Sequence, residues 1–90
     1  MKLLTKKVTI KNKSGLHSRP STLLVETAKK FSAEIKLVRD DISVDCKSIL
    51  DVMSMGCTQG ARFSITARGK DAEEALDALA KLVSDKFGEE

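Results

Sequence analysis

Apolar and polar positions alternate from Leu4 to Ile10, with Leu4, Val8 and Ile10 on one side and Thr5, Lys7 and Thr9 on the other. This is the period of two of a half-buried strand. Lys6 interrupts the apolar side and reads as a lysine that snorkels at a strand end. From about Ser18 to Phe31 the period becomes helical: Pro20, Leu23, Leu24, Thr27, Ala28 and Phe31 share one face, while Ser21, Thr22, Glu26, Lys29 and Lys30 face water. Alternation returns over Ala33–Val38, which buries Ala33, Ile35 and Leu37, and a glycine-free turn at Arg39-Asp40-Asp41 leads into a short strand at Ile42–Asp45. Ser48, with Asp51 three residues on, predicts the N-cap of a short helix. After a loop bracketed by Gly56 and Gly60, Arg62–Arg68 reads as a strand with Phe63, Ile65 and Ala67 inward. Asp71 and Glu74 predict a capping box for a last helix whose buried stripe is Ala72, Ala75, Leu76, Leu79, Leu82, Val83 and Phe87.

The order β-α-β-β-α-β-α with one-sided helices predicts an α+β fold. Its form is an open-faced two-layer sandwich, a four-stranded antiparallel sheet covered on one face by three helices. Ninety residues suit one domain spanning 1–90, of a size that buries roughly 60–65% of its unfolded surface. No apolar run is long enough for a membrane span, and Met1 to Ile10 carries no signal-peptide core, so a cytoplasmic protein without membrane insertion is expected.

The formal net charge of +3 invites a nucleic-acid reading. The lysines are scattered, however, and the only aromatic residues, Phe31, Phe63 and Phe87, occupy core positions of their elements, so no stacking platform exists. The positive surface reads instead as steering toward an acidic protein partner. Cys46 and Cys57 lack metal-ligand spacing, and one histidine cannot complete a zinc site with them, so neither metal nor cofactor is expected. Both read as free thiols, Cys46 as a small apolar filler and Cys57 as a loop residue open to solvent.

The chemistry concentrates in Ser14-Gly15-Leu16-His17-Ser18-Arg19-Pro20-Ser21-Thr22-Leu23-Leu24, which holds the only histidine and the only proline. Gly15 allows a sharp turn and Pro20 presets a helical φ near the first turn, so His17 falls at a helix entrance. The backbone N–H groups there, from Ser18 and Arg19, together with the positive end of the helix dipole, form a cradle for an oxyanion, and Arg19 adds a cation. An imidazole, with a reference pKa of about 6.5, can accept and release a phosphoryl group near neutral pH. On spacing alone, a lone histidine before a helix is more often a solvated loop residue or a makeshift cap than a phosphoryl acceptor.

Gly15-Leu16-His17-Ser18-Arg19-Pro20 resembles the active-site signature of HPr, the histidine-containing phosphocarrier family of the bacterial sugar phosphotransferase system. Lys47-Ser48-Ile49-Leu50-Asp51-Val52-Met53-Ser54-Met55-Gly56 resembles that family's second signature, and the likeness covers nearly the whole chain. The resemblance implies the same open-faced sandwich and a carrier rather than a free-standing enzyme. His17 would take a phosphoryl group on its δ1 nitrogen from phosphorylated Enzyme I and pass it to sugar-specific acceptor domains, with Arg19 stabilising the phosphate. It further implies that Ser48 is a regulatory phosphorylation site for a serine kinase/phosphorylase, with a transcriptional regulator as a further partner. Ile49, Leu50, Val52, Met53 and Met55 carry more apolar surface than a two-turn helix can hide on one side, so some of them, Ile49, Leu50, Met53 and Met55, are expected to form a docking patch on a monomer.

Ser18 and Ser21 stand where alanine is frequent in that family, and Asp51 where glycine is frequent. Three other readings compete: a similar carrier of the nitrogen-related regulatory branch, a small ligand- or nucleic-acid-binding sandwich in which His17 is only a cap, and a Cys–His hydrolase. The last lacks an orienting group for its base.

Overall fold

The computed structural model describes residues 1–89. Four strands, β1 (Leu3–Thr9), β2 (Glu34–Arg39), β3 (Ile42–Asp45) and β4 (Arg62–Arg68), form one sheet in the order β1-β4-β2-β3. Every neighbouring pair is antiparallel, with Lys6 opposite Ile65, Leu37 opposite Ile65 and Leu37 opposite Val44. Helices α1 (Ser18–Ala28), α2 (Ile49–Ser54) and α3 (Ala72–Ser84) are the other elements, followed by a 3₁₀ turn at Lys86–Gly88. The inward residues Ile35, Leu37, Phe63, Ile65 and Ala67 pack against Leu24, Val25 and Ala28 of α1 and Ala75, Leu76, Leu79 and Val83 of α3 in one core. This is the open-faced α+β sandwich that the alternation and helical periods call for.

The element boundaries shift by one residue in β1 and β2. Ile10 lies just past the strand yet is buried, held by Ile10 N–H to Ala61 O at 2.8 Å and Gly60 N–H to Ile10 O at 2.8 Å. Lys6 remains exposed on the helix-side face, its Nζ 3.8 Å from Asp77 Oδ1.

Helix α1 departs from its expected outline in two ways. It ends at Ala28 rather than Phe31, because the chain tightens into i→i−3 bonds, Lys30 N–H to Thr27 O and Phe31 N–H to Ala28 O, both at 3.1 Å. Lys29 and Lys30 therefore follow the helix instead of forming its last turn. The buried stripe is Pro20, Ser21, Leu24, Val25 and Ala28. Ser21, expected in water, is fully buried because its Oγ donates to Leu16 O at 2.9 Å, which removes the cost of hiding a hydroxyl.

The capping box expected at α3 does not form. Asp71 occupies the N-cap, but its carboxylate accepts from Ser32 N–H (2.9 Å) and Ala33 N–H (2.9 Å), binding the start of α3 to the link between α1 and β2. Those bonds, first the one from Ser32 and then the one from Ala33, hold the Asp71 carboxyl below the ordinary value against the opposing effect of desolvation. At α2 only half of the expected box exists. Ser48 Oγ accepts Asp51 N–H at 3.3 Å, while the Asp51 carboxylate turns to Asp45 N–H at 3.2 Å. Phe87 is buried as expected, but a turn presents it, at φ 55°, and not the α3 helix.

Candidate functional site

The loop from Ile10 to His17 is fastened at several points before it enters α1. Gly15 takes φ 62°, the left-handed conformation that glycine adopts without strain, and it lies so close to Cys57 O that a Cβ there would collide with it. Leu16 N–H donates to Cys57 O at 3.0 Å, and Asn12 Nδ2 donates to Gly15 O at 2.9 Å. The loop is thus bound to the segment after α2, which delivers His17 to the N-cap of α1.

His17 has an extended backbone (φ −70°, ψ −174°), its side chain makes no capping hydrogen bond, and the residue is exposed. Its carbonyl accepts the first helical bond, from Ser21 N–H at 2.9 Å. Pro20 has no N–H, so Ser18 and Arg19 supply the open amide hydrogens at the mouth of α1. The first turn carries no acid. Arg19 is exposed and makes no ion pair among the described residues, where Lys6–Asp77 is the one within 4.0 Å. The mouth of α1 therefore combines an imidazole, two backbone donors, a guanidinium and the positive pole of an 11-residue helix. Such a set can hold a phosphoryl oxyanion beside a nucleophilic nitrogen.

A shallow groove next to His17 is lined by Leu16, Ser18, Met53, Gly56, Cys57 and Thr58. Met53 thus joins the helix-mouth site to α2, whose outer side shows Ile49 (38% exposed), Leu50 (77%) and Met53 (40%). Met55 does not belong with them. At 6% exposure it packs into the core with Val52, because the helix period sends these two residues inward. Ser48 stands at the opposite end of α2 from Met53, outside the groove.

Cys57 also departs from expectation. It is buried, not solvent-open, and its sulfur accepts from Arg39 Nη1 at 3.7 Å. Burial pushes its thiol up, with the guanidinium pulling the other way. Cys46, buried beside Asp45, is pushed up to about 12 by burial first and by that carboxylate second. Neither thiol has the character of a nucleophile. The groove residues Thr58 and Cys57 were not legible as neighbours of His17, since the bond from Leu16 N–H to Cys57 O spans 41 positions in sequence.

The chain matches the family described as "PTS HPr component phosphorylation site" over residues 4–85. It is 40% identical over 88 residues to the phosphocarrier protein HPr of Treponema pallidum, covering 98% of this chain and all of that protein. A multiphosphoryl transfer protein of Haemophilus influenzae is 40% identical over 84 residues, or 90% of this chain and 17% of that protein. Among solved structures, HPr of Thermoanaerobacter tengcongensis superposes with a TM-score of 0.91 at 49% identity, covering 100% of this chain and 99% of that one. With the fold, the length and the sequence all in agreement, the chain belongs to the HPr phosphocarrier family of the phosphotransferase system.

Proposed function

We propose that this chain accepts a phosphoryl group on His17 from phosphorylated Enzyme I and donates it to sugar-specific acceptor domains. The observation that carries the reading is the exposed, uncapped imidazole at the mouth of α1, beside the free N–H groups of Ser18 and Arg19 in a first turn without acids. A ring-nitrogen lone pair, on Nδ1 by family resemblance, forms the new P–N bond as the bond from phosphorus to the donor breaks. The reverse exchange unloads the group onto the acceptor.

A loose, in-line transfer of this kind needs positioning and charge stabilisation, and the docked partner supplies part of both. The cradle is open and solvated, so it stabilises the phosphorylated state only moderately, which keeps both transfers nearly balanced. Ile49, Leu50 and Met53 form the docking face, joined to His17 through the Met53 side of the groove.

Ser48 is the regulatory site of this reading, modified by a serine kinase/phosphorylase and read by a transcriptional regulator. A phosphate there adds nearly two negative charges beside Asp51 and next to Ile49 and Leu50, so its main effect is weaker partner docking.

The test is incubation with Enzyme I and phosphoenolpyruvate. Wild-type protein gains an acid-labile, alkali-stable phosphate that maps to His17, His17→Ala gains none, and Arg19→Ala remains folded but is loaded and unloaded more slowly. A wild-type chain that stays unmodified would sink the proposal, and unchanged rates in the arginine variant would remove Arg19 from it. Ser48→Asp docks on Enzyme I more weakly than wild type, and equal affinity would refute the regulatory role.

A further inference from the structure

The segment after α3 returns to the loop that carries His17. The Glu89 carboxylate accepts from Ser14 Oγ, at 2.8 Å through Oε1 and 3.1 Å through Oε2, and Oε1 also lies 3.3 Å from Asn12 Nδ2. Asn12 is fully buried, and its Nδ2 faces three acceptors: Gly15 O at 2.9 Å, Ser14 Oγ at 3.2 Å and Glu89 Oε1. Its Oδ1 has no partner.

An amide with an orphaned buried oxygen invites the flipped orientation. Flipping would turn Oδ1 toward Gly15 O and Glu89 Oε1, placing oxygen against oxygen on both sides. The carboxylate therefore fixes which way Asn12 faces, and Asn12 in turn holds the carbonyl of Gly15, two residues before His17. Ser14 relays the same constraint, accepting from Asn12 while donating to Glu89.

We infer that Glu89 is a positioning residue for phosphoryl transfer, clasping the Asn12–Gly15 turn so that His17 is presented in register with the mouth of α1. The inference rests on the carrier reading of His17. Glu89 acts through Asn12 and Ser14 and not on the phosphoryl group, so its removal leaves the docking face untouched and lowers the turnover of docked complexes.

The experiment measures steady-state phosphorylation by phosphorylated Enzyme I for wild type, Glu89→Ala, Ser14→Ala, the double variant and Glu89→Gln. Glu89→Ala and Ser14→Ala each lower kcat about fivefold, equivalent to roughly 1 kcal/mol of barrier, at unchanged KM. The double variant falls no further than Glu89→Ala, because the Ser14 link ends on the carboxylate that this change has already removed. Glu89→Gln, which keeps an acceptor oxygen for Ser14 at the same length, recovers most of the loss. In parallel, the Gly15 and Leu16 amides exchange faster in Glu89→Ala while the β4 amides do not change.

Unchanged kcat in both alanine variants, a loss confined to KM, or additive losses in the double variant would each overturn the inference while leaving the carrier reading intact. A wild-type chain inert to Enzyme I would overturn both.

Discussion

The carbonyl oxygen of Cys57 occupies the space that a Cβ on Gly15 would need, and one residue further on it accepts Leu16 N–H at 3.0 Å. The close approach and the bond serve one end: they press the loop before His17 against the segment after α2. Gly15→Ala must relieve a backbone collision as well as adopt φ 62°. Gly56 has the same φ of 62° but open space where its Cβ would be. The expected costs are therefore unequal, about 1 kcal/mol for Gly56→Ala and roughly 3 kcal/mol for Gly15→Ala. Urea unfolding of the two variants measures the difference, and equal losses would show that the Cys57 contact is easily relaxed.

What the sequence made legible was what depends on near neighbours. The inward stripe of β4 and that of α3 at Ala72, Ala75, Leu76, Leu79 and Val83 follow from period alone, and His17 at a helix mouth follows from Gly15 and Pro20 on either side of it. The polarity pattern puts Ser21 in water because its burial depends on one bond to Leu16 O, which no such pattern encodes. Asp71 and Glu74 have the spacing of a local capping box, but the partners of Asp71 are 38 and 39 positions away. Met53 and Met55 are chemically alike, one inside a six-residue helix too short for the pattern to fix its phase and the other at its C-cap, so only tertiary packing separates the exposed one from the buried one. The bonds from Ser14 and Asn12 to Glu89 span 75 and 77 positions and leave no local trace.

Lys47 ties down the turn that follows α1. Its Nζ donates to Phe31 O at 2.8 Å, three residues past the end of the helix, placing a cation beyond a helix that has no basic residue in its own last turn. Lys47→Met keeps the aliphatic stem and removes the donor, so it should cost about 1 kcal/mol in unfolding free energy. The amides of Lys30 and Phe31 should exchange faster, and the rate of phosphate acceptance at the opposite end of α1 should not change. Unaltered exchange at those two amides would mean that water replaces the ammonium without loss.

Asp71 makes stability depend on acidity in a defined direction. Its folded-state value lies below the ordinary 3.8, held there first by Ser32 N–H and then by Ala33 N–H. A depressed carboxyl value means that the unfolded chain binds the proton more tightly. The contribution is therefore complete above 3.8 and is lost as pH falls through the folded-state value. Asp71→Asn lacks this titration, so the advantage of wild type over the variant should be constant near neutrality and shrink below about pH 4. Denaturant melts of both proteins across that range check the sign, and an advantage that grows on acidification would contradict it.

The two ends of the apolar surface on α2 make opposite predictions. Leu50 is 77% exposed, so Leu50→Ala removes almost no buried surface and should change unfolding free energy by no more than about 0.5 kcal/mol. Met55 is 6% exposed and packs in the core, so Met55→Ala should cost about 2–3 kcal/mol. Binding to Enzyme I should follow the reverse order. Leu50→Ala loses an anchor that is free to enter a partner's surface, worth about 1 kcal/mol or roughly fivefold in Kd, while Met55→Ala at a temperature where it remains folded binds nearly as well as wild type. Paired calorimetry of binding and unfolding on the two variants separates these effects. Full affinity in Leu50→Ala would detach the exposed face of α2 from docking, and with it the argument that a phosphate on Ser48 acts by disturbing that face.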